Sequence, residues 1–218
     1  MSSVIDKRRS GRPIIDLNTR QLLINNAREL FSVMTYDKVS TRMIAQKSGI
    51  NVAMIRYYFN SKEGLFETMV RETLAPIQVL IQQLLVEKNT NSLCELMRTY
   101  YRVMTVNPSF PRLIFQLMYL PNTNSQRQSM EKIFTEITQP LQHRIFEQLA
   151  QQNIIRSDLD PHLCKISFIS LMVFPFIAPP SILNIQGVET NEAFFVNLLE
   201  HNLKVITGGL LLPLKESL

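Results

Sequence analysis

The side chains best equipped for covalent or metal chemistry are scattered along this chain. His143, His162 and His201 lie far apart, and none has a Cys or a second His at ligand spacing. Ser129-x-x-Lys132 has the spacing of a serine nucleophile with a lysine base, but the Ser-Asp-Asn and Lys-Thr-Gly triplets that accompany such a site are absent. The 6 glycines form no phosphate-cradling loop. Cys94 and Cys164 fall within helical patterns without a CxxC, and read as buried thiols in a reducing compartment. The sequence therefore predicts no enzyme, no metal and no cofactor. The residues that do gather are cationic and aromatic: Arg42, Lys47, Arg56, Tyr57 and Lys62. Their chemistry is recognition, since a guanidinium can grip guanine through O6 and N7 while ammonium and phenol groups bind phosphate.

Two short apolar-periodic segments joined by a tight turn must position these groups, within residues 39–65. Ser40 is a plausible N-cap for the first, with Ile44 and Ala45 on its buried face. Ser48-Gly49-Ile50-Asn51 makes the turn, where Gly49 can take positive φ and Asn51 can cap the next helix. That helix, Val52–Phe59, turns Ile55 and Phe59 inward and Arg56 and Tyr57 outward. Asn60-x-x-Glu63 has the form of a capping box opening a further helix. Helix, glycine-containing turn and helix are the sequence form of a helix-turn-helix, whose second helix enters the DNA major groove. Its N-terminal turn, Asn51, Val52 and Ala53, is then a contact surface as well.

The charge is placed to match. Residues 1–75 carry 12 Lys/Arg against 7 Asp/Glu, whereas residues 76–218 carry 11 of each, so the net charge of +5 lies wholly on the segment with the motif. Within it, Lys7, Arg8, Arg9 and Arg12 form a basic arm over residues 1–15, either a DNA-contacting segment or a solubilising tail.

The stretch resembles the DNA-binding domain of the TetR family of transcriptional regulators. Ile44-Ala45, Gly49-Ile50, Ile55, Phe59, Ser61-Lys62-Glu63-x-Leu65 and, in the preceding loop, Tyr36 carry the resemblance, which covers roughly residues 18–70. The resemblance implies that Lys62 contacts a phosphate, with Tyr57 placed to join it. It also implies a ligand-responsive regulator, of the repressor sign. One departure is visible: where many relatives have a Tyr after the inward residue of the second motif helix, this chain has Arg56, followed by Tyr57-Tyr58.

The remaining periodicity predicts an all-α chain of about nine helices: arm 1–15, helix-turn-helix domain 16–60, connecting helix 61–85, and a ligand-binding and dimerisation domain 86–218. The first helix begins near Asn18 with Gln21 as capping partner, and buries Leu23, Ala27, Leu30, Phe31 and Met34. The connecting helix is interrupted by Pro76 and joins the basic half to the neutral one, as a lever. Pro140 kinks or divides a helix over 125–152, residues 179–190 are a loop, and Gly208-Gly209 ends the last helix. Residues 166–188 lack charge, but Pro175, Pro179, Pro180, Asn184 and Gly187 break them, so a buried helix is expected rather than a membrane span, in a cytoplasmic protein.

Tyr100, Tyr101, Met104, Phe115, Met118, Tyr119, Phe134 and Met172 combine aromatic, Met and polar-tipped side chains on helices that should face one another. They read as core or as the wall of an effector cavity, the family resemblance favouring the cavity, with Arg98, Arg102 and His143 as charged partners. Few charges interrupt the apolar stripes, so the effector is expected to be hydrophobic or aromatic. Ile166, Ile169, Ser170, Val173 and Phe174 on the eighth predicted helix, and Phe194, Phe195, Leu198, Leu199, Leu203 and Ile206 on the ninth, offer a homodimer face. A palindromic operator on double-stranded DNA needs two recognition helices, which a dimer supplies. The other reading of the chain is a helical ligand-binding or interaction protein whose helix-turn-helix no longer engages DNA.

Overall fold

Apolar residues at helical spacing, punctuated by capping Ser, Asn and Asp, fold the chain into helices. The computed structural model describes residues 17–87, 89–142 and 145–211. The predicted arm contacts Lys7, Arg8, Arg9 and Arg12, and His143, lie outside the described residues. Eleven α-helices follow in order: α1 Leu17–Val33, α2 Thr41–Ser48, α3 Ala53–Phe59, α4 Lys62–Glu87, α5 Thr90–Val106, α6 Phe110–Met118, α7 Ser125–Gln142, α8 Ile145–Gln151, α9 Pro161–Ile177, α10 Pro180–Ile185 and α11 Glu192–Val205. Among the described residues the only extended pairing is an isolated bridge of Ile155 with Leu211. The chain is all-α, and no helix among these residues is long and apolar enough to cross a membrane.

Several expected boundaries move, each for a local reason. Asn60 is not the cap of α4: it closes α3 at φ 63°, and the Ser61 hydroxyl accepts from Gly64 N–H at 3.1 Å. α1 starts at Leu17, one residue from the expected Asn18, and the Gln21 amide donates to the Asn25 side chain at 3.2 Å. Pro76 does not divide α4, which runs through it. Pro140 lies within α7, and a separate short α8 follows. The expected loop at 179–190 contains α10, started by Pro180 at its first position. Gly208 and Gly209 do not simply end α11; they form part of a π-helical turn, Ile206–Leu210. With these extra pieces the predicted eighth and ninth helices are α9 and α11.

Pro175 sits inside α9. A proline has no N–H to give, so the Leu171 carbonyl one turn earlier loses its helical partner. The Tyr101 hydroxyl donates to it at 3.0 Å and the Asn202 amide at 3.0 Å, while Asn202 also donates to the Tyr101 oxygen at 2.8 Å. This buried cluster ties α5, α9 and α11 together. Around it, the Phe176 ring meets Tyr100 and Tyr101 edge-on and stacks on Phe195 at 4.6 Å. The core is one continuous cluster from Leu23 in α1 to Leu211, and α4 contributes to it along most of its length.

Candidate nucleic-acid interface and helix-lined cavity

α2 ends in a Schellman motif. Gly49 takes φ 66°, its N–H donates to the Gln46 carbonyl at 3.1 Å, and Ile50 N–H donates to the Ala45 carbonyl at 3.0 Å. A side chain at Gly49 would have space but not the conformation. Asn51 then accepts from Ala53 N–H at 2.9 Å and launches α3. Ile55 and Phe59 are buried beneath it, whereas Asn51, Val52, Ala53, Arg56 and Tyr57 are exposed together with Arg42 of α2. Among the described residues no carboxylate pairs with Arg42 or Arg56, so both guanidinium groups face solvent ready for an anion or a base edge. Tyr57 and Tyr58 rings pack edge-on at 5.0 Å.

Two predicted phosphate contacts have protein partners. The Lys47 ammonium pairs with Glu29 of α1 at 3.0 Å. Lys62 Nζ donates to the Tyr36 carbonyl at 2.7 Å and lies 4.0 Å from the centre of the Tyr36 ring. Burial pushes its pKa down, against Asp37 and Glu63. Lys62 therefore fastens the Tyr36–Lys38 turn to the start of α4. The Tyr36 ring stacks on Phe31 and meets Phe66 edge-on, and its hydroxyl bonds Glu63 at 3.2 Å. Burial, then Glu63, drives the Tyr36 pKa upward. Glu63 is held below the usual carboxylate range by its own backbone N–H and, against burial, by Ser61 and Tyr36. Sequence reasoning missed Gly64: a Cβ there would be driven into the Phe59 carbonyl oxygen, so glycine lets α3 and α4 meet.

A cavity of about 380 Å³ lies between α4, α5, α6, α7 and α9. Each helix presents one face: Leu74, Ile77 and Ile81 on α4; Leu96, Tyr100 and Met104 on α5; Phe110, Pro111, Ile114 and Phe115 on α6; Phe134, Ile137 and Thr138 on α7; Lys165, Ile169, Met172 and Val173 on α9. Of the residues expected to wall it, Tyr100, Met104, Phe115, Phe134 and Met172 do so. Tyr101 does not, because its hydroxyl is turned to Leu171 and Asn202. Met118 packs on the core away from the cavity, and Tyr119, just past the end of α6, is 84% exposed. Arg98 is paired with Glu95 at 2.8 Å and Arg102 is exposed; neither lines the cavity. The cation that does line it is Lys165, which no periodicity singled out.

The expected dimer face is also redistributed. Ile166, Ile169, Ser170 and Phe174 are exposed on α9, joined by Leu163, and Val196 and Val205 are exposed on α11. Phe195, Leu203 and Ile206 are buried in the chain's own core, and Val173 is turned to the cavity.

Residues 23–69 match the family described as bacterial regulatory proteins, tetR family. Over 193 residues the chain is 23% identical to the "Probable HTH-type transcriptional regulator YttP" of Bacillus subtilis (strain 168), spanning 87% of this chain and 92% of that protein. Its fold is similar to that of transcriptional regulator FadR from Bacillus subtilis in complex with stearoyl-CoA, at TM-score 0.65 and 18% identity, covering 87% of this chain and 98% of that one. NalD of Pseudomonas aeruginosa, the secondary repressor of the MexAB-OprM multidrug efflux pump, is likewise similar at TM-score 0.65 and 18% identity, covering 90% and 98%.

Proposed function

We propose that this chain is, through its helix-turn-helix segment, a transcriptional regulator of the TetR family, and that it acts as a cytoplasmic homodimeric repressor released from a palindromic operator by a hydrophobic or aromatic effector. The observation that carries the reading is α4. Its first turn holds Lys62 against the turn that precedes the helix-turn-helix, and its middle supplies Leu74, Ile77 and Ile81 to the cavity wall. At a rise of ~1.5 Å per residue its 26 residues make a lever of about 39 Å. A ligand filling the cavity can act on DNA affinity only by preferring one position of that lever. α6 offers a second route, since it walls the cavity and also touches α1. FadR in complex with stearoyl-CoA and the repressor NalD support the ligand response and its sign.

In this reading Arg56 reads a base, Tyr57, Arg42 and the arm anchor phosphates, and the exposed apolar rows of α9 and α11 close the dimer. Lys62 and Lys47 act chiefly through the contacts that fix the motif. Selection of bound fragments from the source genome, followed by titration with and without candidate effectors, tests it. Met104→Trp fills the cavity and should abolish effector-driven release while leaving the protein folded. Intact induction in that variant would place the effector elsewhere, and a failure to select any symmetric site would remove the repressor reading.

A further inference from the structure

The cavity is apolar except at Tyr100, Thr138 and Lys165. Thr138 is engaged already, its hydroxyl bonding the Phe134 carbonyl at 2.7 Å. Among the described residues no protein group satisfies the other two. Among the described residues Lys165 pairs with no carboxylate, and the hydroxyl of buried Tyr100 bonds no protein group. Lys165 is the one charged side chain among the described cavity-lining residues. It stands one turn before Ile169 on the α9 face that continues to Met172 and Val173, and Ile169 and Phe115 of the same lining are partly open to solvent. An ammonium beside apolar walls attracts an anion more strongly than one in bulk water, and a hydroxyl without a protein partner on such a wall favours a ligand that supplies an acceptor.

Taking the cavity as the effector site, we propose that the effector is a small monoanionic amphiphile of the carboxylate class. Its apolar body lies against Leu96, Met104, Ile114 and Phe134, its carboxylate pairs with Lys165, and the Tyr100 hydroxyl donates to a ligand oxygen. A second negative charge would find no counter-charge among these walls and is disfavoured. The volume of about 380 Å³ holds on the order of a dozen non-hydrogen atoms at about 30 Å³ each. Decanoate has that size.

The test is calorimetric titration of the intact protein with decanoate, 1-decanol and decylamine, which share a chain and differ in head group. Decanoate should bind about tenfold or more tighter than decanol, and decylamine weakest. Lys165→Met should reduce decanoate to the affinity of decanol and leave decanol unchanged, whereas Lys165→Arg keeps the preference. Equal binding of decanoate and decanol by the unmodified protein, or a preference that survives Lys165→Met, overturns the head-group assignment while leaving the cavity as the effector site. Decanol binding that survives Met104→Trp, or no binding of any of the three, overturns the cavity reading and this inference with it.

Discussion

Arg56 and Gly64 show how much a single position can decide here. Arg56 projects from the exposed face of α3 without a carboxylate partner among the described residues, so its donors are free for a guanine edge. Arg56→Ala should relax sequence preference at one operator position per half-site, at ~1–3 kcal/mol of lost discrimination. Binding to a panel of single-base operator variants checks this; equal weakening on every variant would assign Arg56 to phosphate instead. Gly64 works through space rather than charge. Gly64→Ala drives a methyl into the Phe59 carbonyl oxygen, a backbone atom that can move only if α3 moves against α4. Overpacking of this kind costs ~1–3 kcal/mol, and here it falls on the joint that aims the recognition helix. Thermal unfolding should show a lowered midpoint, and DNA affinity should fall by more than the lost stability explains.

At the scale of elements, the joint between α5, α9 and α11 depends on what Pro175 leaves undone. The Leu171 carbonyl is satisfied from outside its own helix by Tyr101 and Asn202. Asn202→Ala should destabilise the chain by ~1–3 kcal/mol, because a buried acceptor loses a partner. Tyr101→Phe should cost less than additively when combined with it, a coupling that a double-mutant cycle of denaturation midpoints reads out. The same joint has an alkaline limit. Burial pushes the Tyr101 pKa up to about 12 from 10.0, although the Asn202 hydrogen bond pulls it down. A folded pKa above the unfolded one means that the contribution is whole below about pH 10 and is lost as pH rises toward 12. Stability measured from pH 9 to 12 should fall in that window, and Tyr101→Phe should flatten the fall.

For the whole molecule, the decisive quantities are charge placement and assembly. The excess of 12 Lys/Arg over 7 Asp/Glu in residues 1–75 predicts binding dominated by counterion release. If about six to ten phosphates are neutralised by the dimer, operator affinity should drop ~10³–10⁵-fold between about 50 and 200 mM salt. A nearly flat dependence would exclude this mode. Leu163, Ile166, Ile169 and Phe174 are exposed on α9, with Val196 and Val205 on α11, and the proposed dimer would close over this apolar row. Sedimentation at micromolar concentration should find a dimer, and Ile166→Glu with Phe174→Glu should yield monomers that lose operator binding.

The sequence by itself determined the helix-turn-helix, its buried and exposed faces, the all-α class and the polarity of charge. All of these are set by neighbours a few residues apart: Gly49 closing one helix, Asn51 opening the next, and Ile55 and Phe59 four apart on one side. Local spacing also found Tyr100, Met104, Phe115, Phe134 and Met172, because each lies on an apolar face of its own helix. What it could not decide was which of two inward directions a side chain takes once several helices converge. Tyr101 adjoins Tyr100 in sequence, yet it turns to the carbonyl that Pro175 vacates on a helix far along the chain. No local spacing singles out Lys165, and only α9 laid beside α4, α5, α6 and α7 brings it to the cavity wall. The resemblance implies a phosphate contact for Lys62, but only the fold sets its ammonium over the Tyr36 ring and against the Tyr36 carbonyl. Tertiary structure alone decided these, since a cavity, an orphaned carbonyl and a ring beneath an ammonium exist only where segments distant in sequence meet.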